Sequence, residues 1–171
     1  MVSENPYQSP SGSQTRGDAE FTAQWAGFGV RLLAYLIDIL PITLATGAVF
    51  YFFLGFDETV QRYFKERGDI NARIEFLTQR NQIRDLSFMI YIVYCALTEC
   101  SAMQATIGKR LLGLRVTDNN GNGLSIGRSF GRNFAKIVSY IPLGLGFIWA
   151  IWSKRKRSWH DMIAKTLVIK T

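Results

Sequence analysis

Residues 29–54, GVRLLAYLIDILPITLATGAVFYFFL, constrain this chain more than any other stretch. As a helix they would extend about 39 Å at ~1.5 Å per residue, against about 30 Å of bilayer hydrocarbon. The stretch nevertheless carries Arg31 and Asp38, two helical turns apart and therefore on one face. A charge at mid-bilayer depth costs at least ~2.5 kcal/mol and faces a protein interior or a wet cavity in place of lipid. The rest of the chain must supply cover for that face. The sequence reads as an integral membrane protein.

Its 171 residues fit one domain. Apolar residues at 48% and charged residues at 19% are close to soluble averages, so the membrane signal lies in clustering and not in totals. The net charge of +7 comes from bases that flank apolar segments instead of lining a soluble face, which argues against nucleic acid as a partner. Cys95 and Cys100 lie about 500° apart around a helix, off a shared face, so no disulfide is expected between them. His160 completes no zinc site with them at any standard spacing, and neither a metal nor a cofactor is expected.

Residues 1–24 are rich in Ser, Pro, Gly and Gln, without a basic start or an apolar centre; they read as a disordered tail and not a signal peptide. Residues 25–171 form the membrane domain, with Trp25 suited to the interface. Pro41 kinks the first span, and Thr43 and Thr46 are candidate partners for the carbonyl it frees. Residues 55–85 balance six bases against six acids. Ile70, Ile74 and Leu77 recur at helical spacing, so a helix begins near Asn71, capped by Asp69 or Asn71, and runs into a second span over 86–103. Glu99 lies near the far end of that span. Residues 111–117 then alternate as a strand, the Asn-Gly-rich turn 118–123 follows, and residues 167–170 read as the pairing strand.

Between the strands, Arg128, Arg132 and Lys136 recur every four residues, a basic stripe suited to anionic headgroups. The apolar part of 134–152 is short and broken by Pro142, Gly144 and Gly146. Orientation decides how it is read. The linker and stripe together with the tail, including the run 154–157, carry a net +10, while the remainder carries −3. Basic segments stay on the cytoplasmic side. A re-entrant hairpin turning at 142–146 keeps both basic blocks, and both strands, in one compartment; a third full span would separate them. The expected architecture is a membrane all-α fold with a small cytoplasmic β element: two transmembrane helices plus a re-entrant or third membrane helix.

Three separated segments, GFGVRLLAYLIDIL, TIGKRLLGLRVTDNNGNGLS and RSWHDMIAKTLVI, resemble in order the RDD family of small prokaryotic membrane proteins, named for one arginine and two aspartates. The resemblance runs from about Trp25 to Ile169 and assigns these residues to Arg31, Asp38 and Asp161. Ile107 stands where many relatives carry a proline or another small residue. The resemblance implies a transport role, with cation/proton exchange proposed for some members.

Arg31, Asp38, Glu99, His160 and Asp161 are the candidate residues of an ion or proton pathway or of structural ion pairs. They converge at the cytoplasmic third of the membrane, where Arg31 and Asp161 are expected to pair directly and Asp38, the deepest acid, is the candidate ion or proton site. Two functions follow. One is proton-coupled transport of cations or small solutes, which needs a homo-oligomer because so few spans make a thin wall. The other is an inner-membrane scaffold or accessory protein whose RDD residues hold the fold. No nucleophile–base pair suggests an enzyme.

Overall fold

The computed structural model describes residues 24–140 and 145–171. The tail over residues 1–24 and the turn around Pro142 therefore lie almost entirely outside the described residues. Seven α-helices and two strands are described, beginning with α1 (Phe28–Phe53), which continues through Pro41. Thr46 does not serve the carbonyl that the proline frees; its Oγ1 donates to Ile42 O at 2.9 Å. Gly55, at φ 71°, turns the chain into α2 (Phe56–Lys65).

Helix α2 was not anticipated within the balanced segment. Asp57 and Glu58 occupy its first turn and Arg62 and Lys65 its last, the arrangement that complements the helix dipole. It packs on α3 (Ile70–Glu99) by stacking Tyr63 on Phe76, ring centroids 4.5 Å apart, and by pairing Arg62 with Glu75 at 3.1 Å. Asp69 is the cap of α3, accepting from Asn71 N at 3.0 Å. The helix stops at Glu99, short of the expected 103. Ser101 Oγ donates to Thr98 O at 2.7 Å and accepts from Met103 N at 3.2 Å, closing the chain into a turn there.

A short helix α4 (Ile107–Leu111), capped by Thr106, precedes the strand and takes in Leu111, the strand's expected first residue. Gly113, at φ 64°, then releases the chain into β1 (Leu114–Asp118). β1 pairs antiparallel with β2 (Thr166–Lys170), Val116 opposite Val168, as the alternating residues 111–117 and the pairing strand read at 167–170 led one to expect. Gln24 and Ala26 extend this sheet: Lys170 N donates to Gln24 O at 2.8 Å and Ala26 N to Val168 O at 2.9 Å. Ala26, Ala34, Leu114, Val116, Leu124 and Val168 make the small apolar core joining sheet to α1.

Helix α5 (Ile126–Tyr140) is followed by α6 (Leu145–Ile148), a 3-10 turn over Trp149–Ile151 and α7 (Trp159–Ile163). A Cβ added to Gly146 would lie 2.6 Å from Ser139 Cα, so α6 folds back onto α5 and residues 137–152 do not form one straight helix.

Among the described helices only α1 is long and apolar enough throughout to cross a membrane. The disposition of its side chains is the reverse of a water-soluble helix. Leu32, Leu33, Leu36, Leu40 and Leu44 are exposed, while Asp38 and Thr46 are buried. Helix α5 repeats the inversion: Ile126, Phe134, Ile137 and Val138 face out, and Ser129, Arg132, Asn133, Lys136 and Ser139 face in. The expectation that Arg132 and Lys136 join Arg128 in an outward stripe is corrected. Only Arg128 is exposed; Arg132 and Lys136 are 2% and 5% exposed.

Candidate functional site

The polar faces of α1, α3, α4, α5 and α7 meet in two clusters. The first is built on Asp38, which is 6% exposed. Its Oδ2 accepts from Thr106 Oγ1 at 2.6 Å and its Oδ1 from Gly108 N at 2.8 Å and Tyr94 OH at 3.3 Å. Tyr94 OH in turn accepts from Ile107 N at 2.8 Å. Asp38 thus satisfies the Gly108 N–H directly and supports the Ile107 N–H through Tyr94 OH, two backbone donors at the start of α4 that have no partner within the helix. The backbones approach so closely that a Cβ on Gly108 would collide with the carbonyl oxygen of Ala34 on α1 and lie 2.9 Å from Asp38 Oδ2.

The second cluster is a continuous ion-pair chain. Lys109 of α4 pairs with Glu99 of α3. Glu99 also accepts from Arg132 Nη1 at 2.5 Å and Asn133 Nδ2 at 2.9 Å, both from α5. Arg132 continues to Asp161 of α7 through Nε at 2.9 Å and Nη2 at 2.8 Å. Asp161 ends the chain on Arg31 Nη1 of α1 at 2.6 Å. Five helices are therefore tied by one run of charges, with Glu99 and Asp161 fully buried. The pairing of Arg31 with Asp161 is the one expected, whereas Asp38 belongs to the other cluster and bonds a helix end.

Charge and burial oppose each other here. Burial alone would raise the Asp161 carboxyl, but the guanidiniums of Arg132 and Arg31 outweigh it and hold the group well below the usual carboxylate range. Burial likewise disfavours charged Arg132, and Glu99 and Asp161 overcome that, raising it further. For Lys109 burial wins and the ammonium is pushed down despite Glu99. His160 takes no part in the ion chain as a cation. Burial pushes it to about 3, so it is neutral near pH 7, with Nδ1 at 3.2 Å from Ser139 Oγ and its ring 5.1 Å from that of Phe147.

All five candidate residues thus lie in or against these clusters. The sequence reading missed Thr106, Lys109, Arg132, Asn133 and Lys136. The signal was present for the last three: Ser129, Arg132, Asn133, Lys136 and Ser139 repeat at helical spacing opposite an apolar face. Among the described residues no group of His, Cys, Asp and Glu is arranged to hold a metal. Cys95 and Cys100 are free thiols, the first buried.

A mostly helical domain with one membrane-length helix, its helices tied by buried ions and a two-stranded sheet packed on α1, is the class of protein this geometry defines. The chain belongs to the RDD family, whose family model matches residues 25–165. Uncharacterized protein YxaI of Bacillus subtilis (strain 168) is similar, 32% identical over 153 residues that cover 84% of this chain and 96% of its own. No solved structure matches.

Proposed function

We propose that this protein is a multi-pass inner-membrane scaffold or accessory protein in which Arg31, Asp38 and Asp161 hold the fold and do not form a transport path. The observation that carries the reading is saturation of the acids. Asp38 accepts from Thr106, Gly108 and Tyr94; Asp161 accepts from two arginines and from Ser158 N at 3.2 Å; Glu99 is held by Lys109, Arg132 and Asn133. A cation entering at Glu99 or Asp161 would have to displace a buried guanidinium or ammonium, exposing an unpaired charge to a low-dielectric interior.

In this reading α1 and the apolar half of α3 cross the bilayer, with the outward leucines of α1 and the outward apolar face of α5 against lipid. The α5–α6 hairpin enters and returns on the cytoplasmic side, where the basic segments and the sheet lie. The ion chain staples the hairpin, α4 and α7 to the spans, and the apolar core holds the sheet against α1. The scaffold needs no homo-oligomer.

Cation-dependent proton flux in proteoliposomes tests this, comparing wild type with Asp38→Asn after insertion is verified in both. The expected result is no flux with sodium, potassium or lithium in either protein. Flux in the wild type that Asp38→Asn abolishes without loss of insertion would replace the scaffold by an exchanger with Asp38 in its path.

A further inference from the structure

One cavity of about 320 Å³ lies at the junction of α1, α3 and α5, and four bases contribute to its wall: Arg31, Lys109, Arg132 and Lys136. Glu99 and Asp161, the acids paired with these bases, supply two negative charges against four positive. Asp38, the remaining buried acid, is committed to Thr106, Gly108 and Tyr94. Two donors on the cavity wall are left over. Arg31 Nη2 is buried without a hydrogen-bond partner, and so is Lys136 Nζ, which lies over the Tyr91 ring, 4.7 Å to the centroid. Lys136 is 5% exposed, so water at the protein surface does not solvate it. A buried ammonium with no acceptor is among the costlier arrangements in a folded protein.

We infer that this cavity binds a phosphate oxyanion with an apolar neighbour, held between Lys136 Nζ and Arg31 Nη2. An oxyanion supplies the acceptors both donors lack and offsets the excess of positive charge; a guanidinium and an ammonium are the donors suited to phosphate. The rest of the wall is apolar and includes Phe28, Leu32 and Phe147. Leu32 is 43% exposed on the same outward face of α1 as Leu36 and Leu40. A chain leaving the cavity past Leu32 would therefore run along the lipid-facing side of the first turns of α1, at headgroup depth. The volume admits a phosphate and the first carbons attached to it, not a whole lipid. Free phosphate and a phospholipid headgroup share this chemistry, and the apolar exit favours the headgroup. The inference holds whether the protein is a scaffold or a transporter.

The test is native mass spectrometry of the full chain, delipidated in a neutral detergent and titrated with phosphatidylglycerol or with phosphatidylcholine of the same acyl chains. One retained phosphatidylglycerol per protein is expected, at least ten-fold preferred over phosphatidylcholine. Retention should fall at least ten-fold in Lys136→Met and persist in Lys136→Arg. It should also persist when the exposed Lys154 and Arg155 are replaced by Gln, which separates the cavity from general attraction to a basic surface. Displacement of the lipid by millimolar inorganic phosphate would assign the site to a free oxyanion; resistance would assign it to the headgroup. Equal retention of the two lipids, unchanged retention in Lys136→Met, or loss on removing Lys154 and Arg155 overturns the proposal. Should Lys136→Met fail to insert, the wild-type preference alone decides.

Discussion

Replacing Asp161 by Asn should cost this protein more than replacing Arg31 by Met, although the two side chains form a single pair. Asp161 is fully buried and accepts from Arg31 Nη1 at 2.6 Å, Arg132 Nε at 2.9 Å, Arg132 Nη2 at 2.8 Å and Ser158 N at 3.2 Å. Asparagine keeps the shape and the contact with Ser158 but removes the charge lying between two guanidiniums. Arg31 is then without an acid, and Arg132 has only Glu99, which already serves Lys109. Breaking a buried pair in this way costs about 3–5 kcal/mol, a large share of a total stability of about 5–15 kcal/mol. Arg31→Met instead leaves Asp161 neutralised by Arg132, and the Arg31 side chain is 11% exposed. The variant loses the hydrogen bond to Asp161 and the one from Nε to Ala26 O at 3.0 Å but strands no buried charge, and at about 1.5 kcal/mol for each it costs about 3 kcal/mol. In the double variant the stranded cation is gone, so its cost should fall short of the sum of the singles by about 1–2 kcal/mol. Equilibrium unfolding in mixed dodecylmaltoside and dodecylsulfate micelles, followed by far-UV circular dichroism, measures all three. If Arg31→Met costs as much as Asp161→Asn, or the double variant is additive, the ion chain does not bind the helices as argued.

Gly108→Ala should destabilise by about 1–3 kcal/mol, because its Cβ meets the Ala34 backbone carbonyl as well as Asp38 and α1 cannot stay so close to α4. Gly127→Ala, with nothing within 4 Å of the added carbon, should be neutral or stabilising in the same micelle unfolding series. His160 makes stability depend on pH. Its folded value of about 3 lies below the ordinary 6.5, so its contribution is full above pH 6.5 and is lost as the pH falls from 6.5 toward 3. About 2 kcal/mol should disappear between pH 6.5 and pH 5. The Asp161 carboxyl, held well below its ordinary 3.8, adds no slope until lower pH. Stability curves for His160→Gln that keep the wild-type slope over pH 5–6.5 would show that burial of the imidazole is not its source.

Local periodicity made the largest elements legible. The long apolar stretch of α1, interrupted by the charges Arg31 and Asp38 alone, the alternation in β1, the short apolar run of β2, and Asp69 ahead of α3 each state their structure within a few residues. Helix α2 escaped because its balanced charges suggested a solvated loop, although Phe56, Val60, Tyr63 and Phe64 already mark one helical face. Helix α4 escaped for a different reason. Its five residues carry too little pattern to nucleate a helix unaided, and what holds it in place is Asp38, distant in sequence, accepting from Thr106 Oγ1 and Gly108 N. No local window contains that partner.

The ion chain was half legible, and the missing half follows from charge. Arg31 is one base, while Asp38, Glu99 and Asp161 are three acids, all placed by the sequence at membrane depth or against it. Three buried carboxylates cannot share one guanidinium, so further bases had to turn inward. Helix α5 offered them at Arg132 and Lys136, but a basic face on an amphipathic helix reads as a headgroup-facing surface when water is taken as the outside. In the proposed membrane placement lipid is the outside, so the apolar Ile126, Phe134 and Val138 face takes the exterior and the polar face goes in. The same inversion places Asp38 inward and the leucines outward on α1. Glu99 and Asp161 then neutralise Arg31, Lys109 and Arg132 only in part, and Lys136 has no acid of its own. The excess follows from the way the fold meets its own acids, and it gives the cavity beside α1 its positive character.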